Sequence, residues 1–260
     1  MFAEDVTAGG LRIRFSASLP LLDRAVNATV AFCKRRHASG SLFEIKLLLR
    51  EALLNAVLHG SRSDPLCLVT VEVATEDGLV RLAVEDQGAG FDWRRQMTEA
   101  PSPTATSGRG LSILALYADA LDYNEAGNRL ELVKAIPGIR GPESVSGRDG
   151  SERLLGRATM EDVRVEDGRT VFCPSGDIVA SIAESLRARL REVMHEHPGP
   201  LAIDLAQVEL IDSVGIGLLI AAHNSLAKSG GRLVLQHVNP DLAGLLRTMR
   251  LDKHFTIESA

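Results

Sequence analysis

From Leu11 to Phe15 apolar and polar residues alternate one for one, the period of a half-buried strand. Two longer stretches follow, roughly Leu21 to Arg36 and Leu42 to His59, in which apolar residues return every three or four positions, and both predict amphipathic helices. The period then drops back to two. Leu66 to Ala74 and Leu79 to Glu85 are alternating runs rich in valine and leucine, joined by Glu76-Asp77-Gly78, whose glycine accepts the positive φ of a tight turn, so they predict a hairpin. From Gln96 to Gly108 the chain is rich in Pro, Thr, Ser and Ala with no period, which predicts a loop. Gly110 opens a helix to about Asp119, and Leu121 to Tyr123 and Arg129 to Lys134 predict a second strand pair.

Between Pro137 and about Gly156 periodicity disappears into Pro, Gly, Ser and charged residues, the composition of a linker. Beyond it the order is strand (Asp162 to Glu166), strand (Arg169 to Cys173), helix (Val179 to His195), strand (Leu201 to Leu205), helix (Ser213 to Lys228), strand (Arg232 to Gln236), helix (Pro240 to Met249) and a short strand near Phe255. Short apolar strands alternating with amphipathic helices give a layered α/β unit. The expected organisation is therefore two domains of the α/β (α+β) class, residues 1–137 and 158–260, joined by a flexible linker over 138–157. A linker of about 20 residues spans roughly 25 Å and holds its two ends at about millimolar effective concentration.

Length and composition fit that picture, since 260 residues suffice for two cores and 45% hydrophobic with 24% charged residues is ordinary for globular chains. The net charge of −5, with arginines scattered rather than clustered, offers no footprint for nucleic acid. Cys33, Cys67 and Cys173 are odd in number and far apart, which speaks against a disulfide framework or a metal site and fits a reducing cytoplasm. The start of the chain is acidic, and the longest apolar stretch, Val214 to Ala222, is too short for a bilayer, so neither export nor a membrane partner is expected.

Three groups of residues carry candidate chemistry in the first domain. Glu51 and Asn55, at i and i+4 on the second helix, project from one face; a carboxylate there can accept a proton and an amide oxygen can bind a magnesium ion. Such a pair on an isolated helix is ordinarily solvated surface, so its context matters. Asp86 ends an apolar strand and is followed by Gly88 and Gly90, which let backbone approach a ligand closely. Ser107-Gly108-Arg109-Gly110-Leu111 ends the polar loop and begins a helix, an arrangement that offers free N–H groups to phosphate.

In this order, separated by a hairpin and a long polar loop, the three elements resemble the N, G1 and G2 boxes of the GHKL ATPase and kinase superfamily, and Glu51 through Gly60 looks most like the anti-sigma-factor serine kinases of partner-switching systems. The resemblance covers roughly residues 8 to 136 and implies a Bergerat-type two-layer α/β sandwich, with ATP and Mg2+ as cofactors. It assigns Glu51 as catalytic base, Asn55 to magnesium, Asp86 to adenine, and Gly88, Gly90, Ser107, Gly108, Arg109, Gly110 and Leu111 to the ATP pocket, with Gln96 to Ser107 as a lid. Those kinases often carry Glu-Arg-Ser where this chain has Ala105-Thr106-Ser107, so a phosphate-side arginine is missing unless Arg109 replaces it. His59, on the same stripe, reads as structural.

In the second domain Asp212-Ser213 follows a buried strand and opens a glycine-punctuated helix; by itself this is an exposed N-cap serine. Together with Ser175-Gly176-Asp177 and the stretch from Gly230 to Leu235, it resembles the STAS domain of anti-sigma-factor antagonists over residues 159 to 258, whose phosphoacceptor maps to Ser213. Val214 and Val179 stand where that family often has Ser or Thr and Asp. The joint resemblance implies a serine kinase fused to its antagonist, transferring phosphate to Ser213 in cis or in trans or to a partner. The partners so implied are a sigma factor, a separate STAS antagonist or kinase, a PP2C-type phosphatase, and a second copy of the chain bound through the kinase domain. The alternative is a catalytically weak ATP-binding module that sequesters a partner, its STAS domain serving as a docking element phosphorylated by another kinase.

Overall fold

The computed structural model describes residues 1–7, 9–36, 42–76, 78–98, 105–139, 162–166, 168–228 and 230–259. They divide into two compact units, Met1–Ala100 with Arg109–Gly150, and Pro101–Gly108 with Ser151–Ala260. Among the described residues no helix is long and apolar enough to cross a membrane.

In the first unit β1 (Phe2–Val6), β2 (Gly10–Ser16), β3 (Leu68–Glu76), β4 (Leu79–Glu85), β5 (Ala120–Tyr123) and β6 (Arg129–Ala135) form a sheet in the order β1-β2-β3-β4-β6-β5. Every pairing is antiparallel. Its alternation produces one dry face: Ile13 pairs with Val71, Val71 with Val84 and Val84 with Leu130, a row of buried residues across four strands. Each such side chain contributes about 1.5–3 kcal/mol when fully buried. The opposite face carries charge, including Arg129 bound at 3.0 Å to each of Glu72, Glu85 and Glu131. The dry face is covered by α1 (Leu19–Arg36) and α2 (Phe43–Leu54), with the shorter α3 (Trp93–Thr98) and α4 (Gly110–Tyr117) completing the layer.

Several local expectations change. β1 has no readable period because its residues are mostly exposed; it is an edge strand fixed by pairing with β2 and by Phe2 resting 6.3 Å from the Phe15 ring. The second helix does not run uniformly to His59, for it widens into a π-helical turn over Asn55–Gly60. The loop expected from Gln96 begins later, since Gln96 lies in α3. The linker also starts later: Ile139 is 2% exposed and its carbonyl accepts the Gly78 N–H at 3.1 Å, so it belongs to the first core. Asp77 of the hairpin turn, 99–104 of the lid and the remaining linker from 140 to 157 lie outside the described residues.

The second unit holds β7 (Asp162–Glu166), β8 (Arg169–Cys173), α5 (Ala183–Glu196), β9 (Leu201–Asp204), α6 (Ser213–Ala227), β10 (Leu233–Val238), α7 (Pro240–Thr248) and β11 (Thr256–Ser259). The sheet order is β11-β10-β9-β8-β7, parallel except for the β7–β8 hairpin. Leu201, Ala202 and Ile203 are all buried, the unbroken apolar run of a strand covered on both faces. The helix expected from Val179 begins only at Ala183, because residues 179–182 form a turn in which the Ile182 N–H donates to the Val179 carbonyl.

Candidate functional site

Glu51 sits in the last turn of α2 and is fully buried. The Asn55 N–H still bonds back to the Glu51 carbonyl, so the two side chains keep their i, i+4 relation as the helix enters its π turn. Single π turns recur at functional sites because the wider ring re-aims the side chains that follow. Asn55 is half-buried and lies beside Tyr123, whose hydroxyl is pushed up to about 12 by burial; neither the Asn55 Nδ2 nor the Tyr123 hydroxyl finds a hydrogen-bond partner among the described residues.

The π turn ends against Asp86. A methyl group at Gly60 would collide with the Asp86 carboxylate, and one at Gly88 would run into the Gly60 carbonyl, so the two glycines close a cradle around this acid. The backbone of Asp86 is tied on both sides to Asn128: its N–H donates to the Asn128 carbonyl at 3.0 Å, and its carbonyl accepts from Asn128 Nδ2 at 3.1 Å. The Gly88 N–H donates to Asp86 Oδ1 at 2.7 Å. Asp86 is 8% exposed; burial raises its pKa, the Gly88 N–H opposes that rise, and the Glu85 charge adds to it. Gly90, at φ 74, interlocks with the loop before β6, since a Cβ there would strike the Ala126 carbonyl. Phe91 and Trp93 both pack on Tyr123 with ring centroids 5.4 Å apart, an aromatic wall behind Asn55.

The third element opens its helix at Gly110, as expected, and ends it at Tyr117 rather than Asp119. Gly108 takes φ 83, α4 starts at Gly110, and its first-turn N–H groups are those a helix leaves without internal acceptors. α4 packs on α2. Arg109 is only 3% exposed and burial lowers its pKa, whereas Ser107 and Gly108 are exposed and Leu111 is half-buried. His59 is exposed.

Residues that the sequence reading did not single out complete this arrangement. Gly60 stands in the sequence only as the last residue of the Glu51 to Gly60 stretch, Tyr123 only as the end of a predicted strand, and Asn128 carries no signal of its own. Among the described residues no group of three or more His, Cys, Asp or Glu forms a metal cage. The Asn55 amide oxygen is a hard donor of the kind that magnesium takes beside phosphate oxygens, unlike the sulfur and imidazole donors of zinc.

In the second unit the expected N-cap serine gives way to its neighbour. Asp212 is the cap of α6: its Oδ1 accepts the Gly215 N–H and its Oδ2 the Ala180 N–H, each at 2.8 Å, and it is fully buried. Ser213 is the first helical residue and is half-buried rather than exposed. Gly215 is required by contact, because a Cβ there would strike the Ile178 carbonyl. Asp177 accepts the N–H groups of Glu209 at 3.0 Å and Leu210 at 2.8 Å, fixing the segment that leads into Asp212-Ser213.

Residues 15–134 match the model of the histidine kinase-like ATPase domain family, and residues 163–258 match that of the Mlab, STAS domain family. The chain is 38% identical over 85 residues to the anti-sigma F factor of Geobacillus stearothermophilus, covering 30% of this chain and 56% of that protein. It is 33% identical over 102 residues to the anti-sigma F factor of Bacillus cytotoxicus, covering 36% of this chain and 70% of the relative. The chain thus spans little more than half the length of the first of these. A crystal structure of an anti-sigma factor antagonist from Mycobacterium paratuberculosis is similar at 30% identity and a TM-score of 0.35, over 39% of this chain and 86% of that one.

Proposed function

We propose a function from one premise: the chain belongs to the anti-sigma F factor family, whose histidine-kinase-like ATPase domain is here followed by a STAS domain in the same polypeptide. The protein is a partner-switching regulator that uses ATP to phosphorylate a STAS-domain serine, either Ser213 or its counterpart in a partner. The observation that carries this reading is that one unit holds both the Glu51 and Asn55 pair at i and i+4 and an Asp86 carboxylate cradled by Gly60 and Gly88.

Asp86 accepts the adenine amino group, and Gly88 and Gly90 admit the base without a Cβ in its path. The start of α4, with Ser107, Gly108, Arg109, Gly110 and Leu111, binds the phosphates through backbone N–H groups. Magnesium, when bound, would neutralise the phosphates, and Asn55 is the side chain that would hold it. Glu51 takes the proton of the attacking serine hydroxyl as the new oxygen–phosphorus bond forms and the γ-phosphorus parts from the β-phosphate oxygen, leaving ADP. The phosphoserine gains roughly −1.5 to −2 charges beside the buried Asp212 carboxylate, which switches docking to a sigma factor or other partner. A PP2C-type phosphatase would reset the switch, and two copies would pair through the ATPase unit.

Incubation with labelled ATP tests the reading. Label is expected on the wild-type chain or on an added STAS partner, and Ser213→Ala is expected to remove the chain's own label; label on this chain that survives Ser213→Ala rejects Ser213 as acceptor. A second reading, a catalytically weak module that binds ATP to sequester its partner, is favoured by the burial of Arg109 and by Ala105-Thr106-Ser107 in place of a lid arginine. Under it nucleotide binds but no turnover appears with any added partner. Both readings require the cradle, so Gly60→Ala is expected to weaken nucleotide binding by about 100-fold or more, the cost of displacing a buried carboxylate that a methyl group overlaps. Equilibrium titration with a fluorescent ATP analogue measures it, and near wild-type affinity would place the nucleotide elsewhere.

A further inference from the structure

The STAS unit contains a cavity of about 900 Å3 between α5 and α6 that the phosphotransfer reading does not use. Its floor is dry, built of Leu190, Leu201 and Leu226, each at most 6% exposed. On the α6 wall Ala221 and Ser225 keep the side chains short, so the space between the helices stays open. One end is closed by the turns that lead into β9 and β10, Pro198-Gly199-Pro200 and Gly230-Gly231. The acceptor Ser213 begins α6, whereas the cavity lies along the second half of that helix, so the two are separate places on one element.

Arg187, Arg191 and Arg232 line the cavity, with His195 and His197 beside them, and no Asp or Glu does, in a chain whose net charge is −5. Arg187 is paired with Glu184 at 3.1 Å and Arg232 donates to the Lys253 carbonyl at 3.1 Å. Among the described residues the side chains of Arg191, His195 and His197 have no hydrogen-bond or ion-pair partner. An arginine without a counter-charge, beside an apolar floor, favours an anion. The volume is that of a small-molecule site.

We propose that this cavity binds a small amphiphilic anion, an apolar body seated on Leu190, Leu201 and Leu226 with a phosphate or carboxylate head at Arg191. Calorimetric titration of the full chain with octyl phosphate and with octanoate, below their micelle concentrations, tests it. Saturable one-to-one binding of either is expected, the tighter of the two identifying the head group. Arg191→Glu, on an exposed side chain, should weaken it by about tenfold or more with an unchanged melting temperature, and Ala221→Trp should block it by filling the space. Octanol and inorganic phosphate should each bind at least about tenfold more weakly, because each lacks one half of the ligand. The proposal is overturned if neither anion binds, if octanol or inorganic phosphate binds as tightly as octyl phosphate, or if Arg191→Glu leaves the affinity unchanged.

Discussion

Glu51→Gln is expected to lower phosphate transfer by about 10²–10⁴-fold while leaving nucleotide affinity within a few-fold of the wild type. The asymmetry follows from where the side chain sits. It is fully buried in the last turn of α2, four residues before Asn55, and takes no part in the Gly60 and Gly88 contacts that cradle Asp86. An amide in its place keeps the volume and one acceptor oxygen but cannot take a proton. Ground-state binding should survive, and the step in which the serine hydroxyl loses its proton should not. Single-turnover transfer from labelled ATP, measured beside equilibrium nucleotide titration, separates the two quantities. Equal rates for wild type and variant would remove Glu51 as the base, and a parallel loss of affinity would make it a binding residue instead.

The parts of this molecule that were legible in the sequence are those whose physics is local. Period-two alternation located β2, β3, β4 and β6 because one face of that sheet is dry and the other charged, and the unbroken apolar runs located β9 and β10 because both their faces are covered. β1 escaped because an edge strand with mostly exposed residues leaves no pattern. The chemistry divided in the same way. Glu51, Asn55 and Asp86 were visible by type and spacing, but Gly60 and Asn128 act on Asp86 across 26 and 42 positions of sequence, through contacts that no short pattern encodes. Ser213 opens a helix, yet the capping role belongs to Asp212, which a sequence shows only as an acid beside a serine. Arg109 shows what a sequence leaves out: an arginine between two glycines reads as an exposed charge, whereas packing makes it 3% exposed.

Asp212→Ala carries the largest expected cost to stability, about 2–5 kcal/mol in the STAS unit, because it strands two N–H groups that no water reaches. The carboxylate bonds Ala180 before α5 and Gly215 within α6, joining elements 32 and 3 residues away from one fully buried side chain. Asp212→Asn should fall between, since one amide oxygen can still accept while the NH₂ group faces an N–H donor. The only tryptophan, Trp93, lies in the ATPase unit, so its fluorescence would miss the loss. Hydrogen exchange at the Ala180 and Gly215 amides reads it directly, with protection lost in Asp212→Ala and the ATPase-unit amides unaffected. The same variant bears on phosphate transfer, for Ser213 is set by the turn that Asp212 caps. Acceptor labelling should drop although the hydroxyl remains, and Ser213→Ala should lose the label without loss of amide protection. Protection unchanged in Asp212→Ala would show that the cap does not hold the acceptor, and would return the positioning of Ser213 to the Asp177 contacts alone.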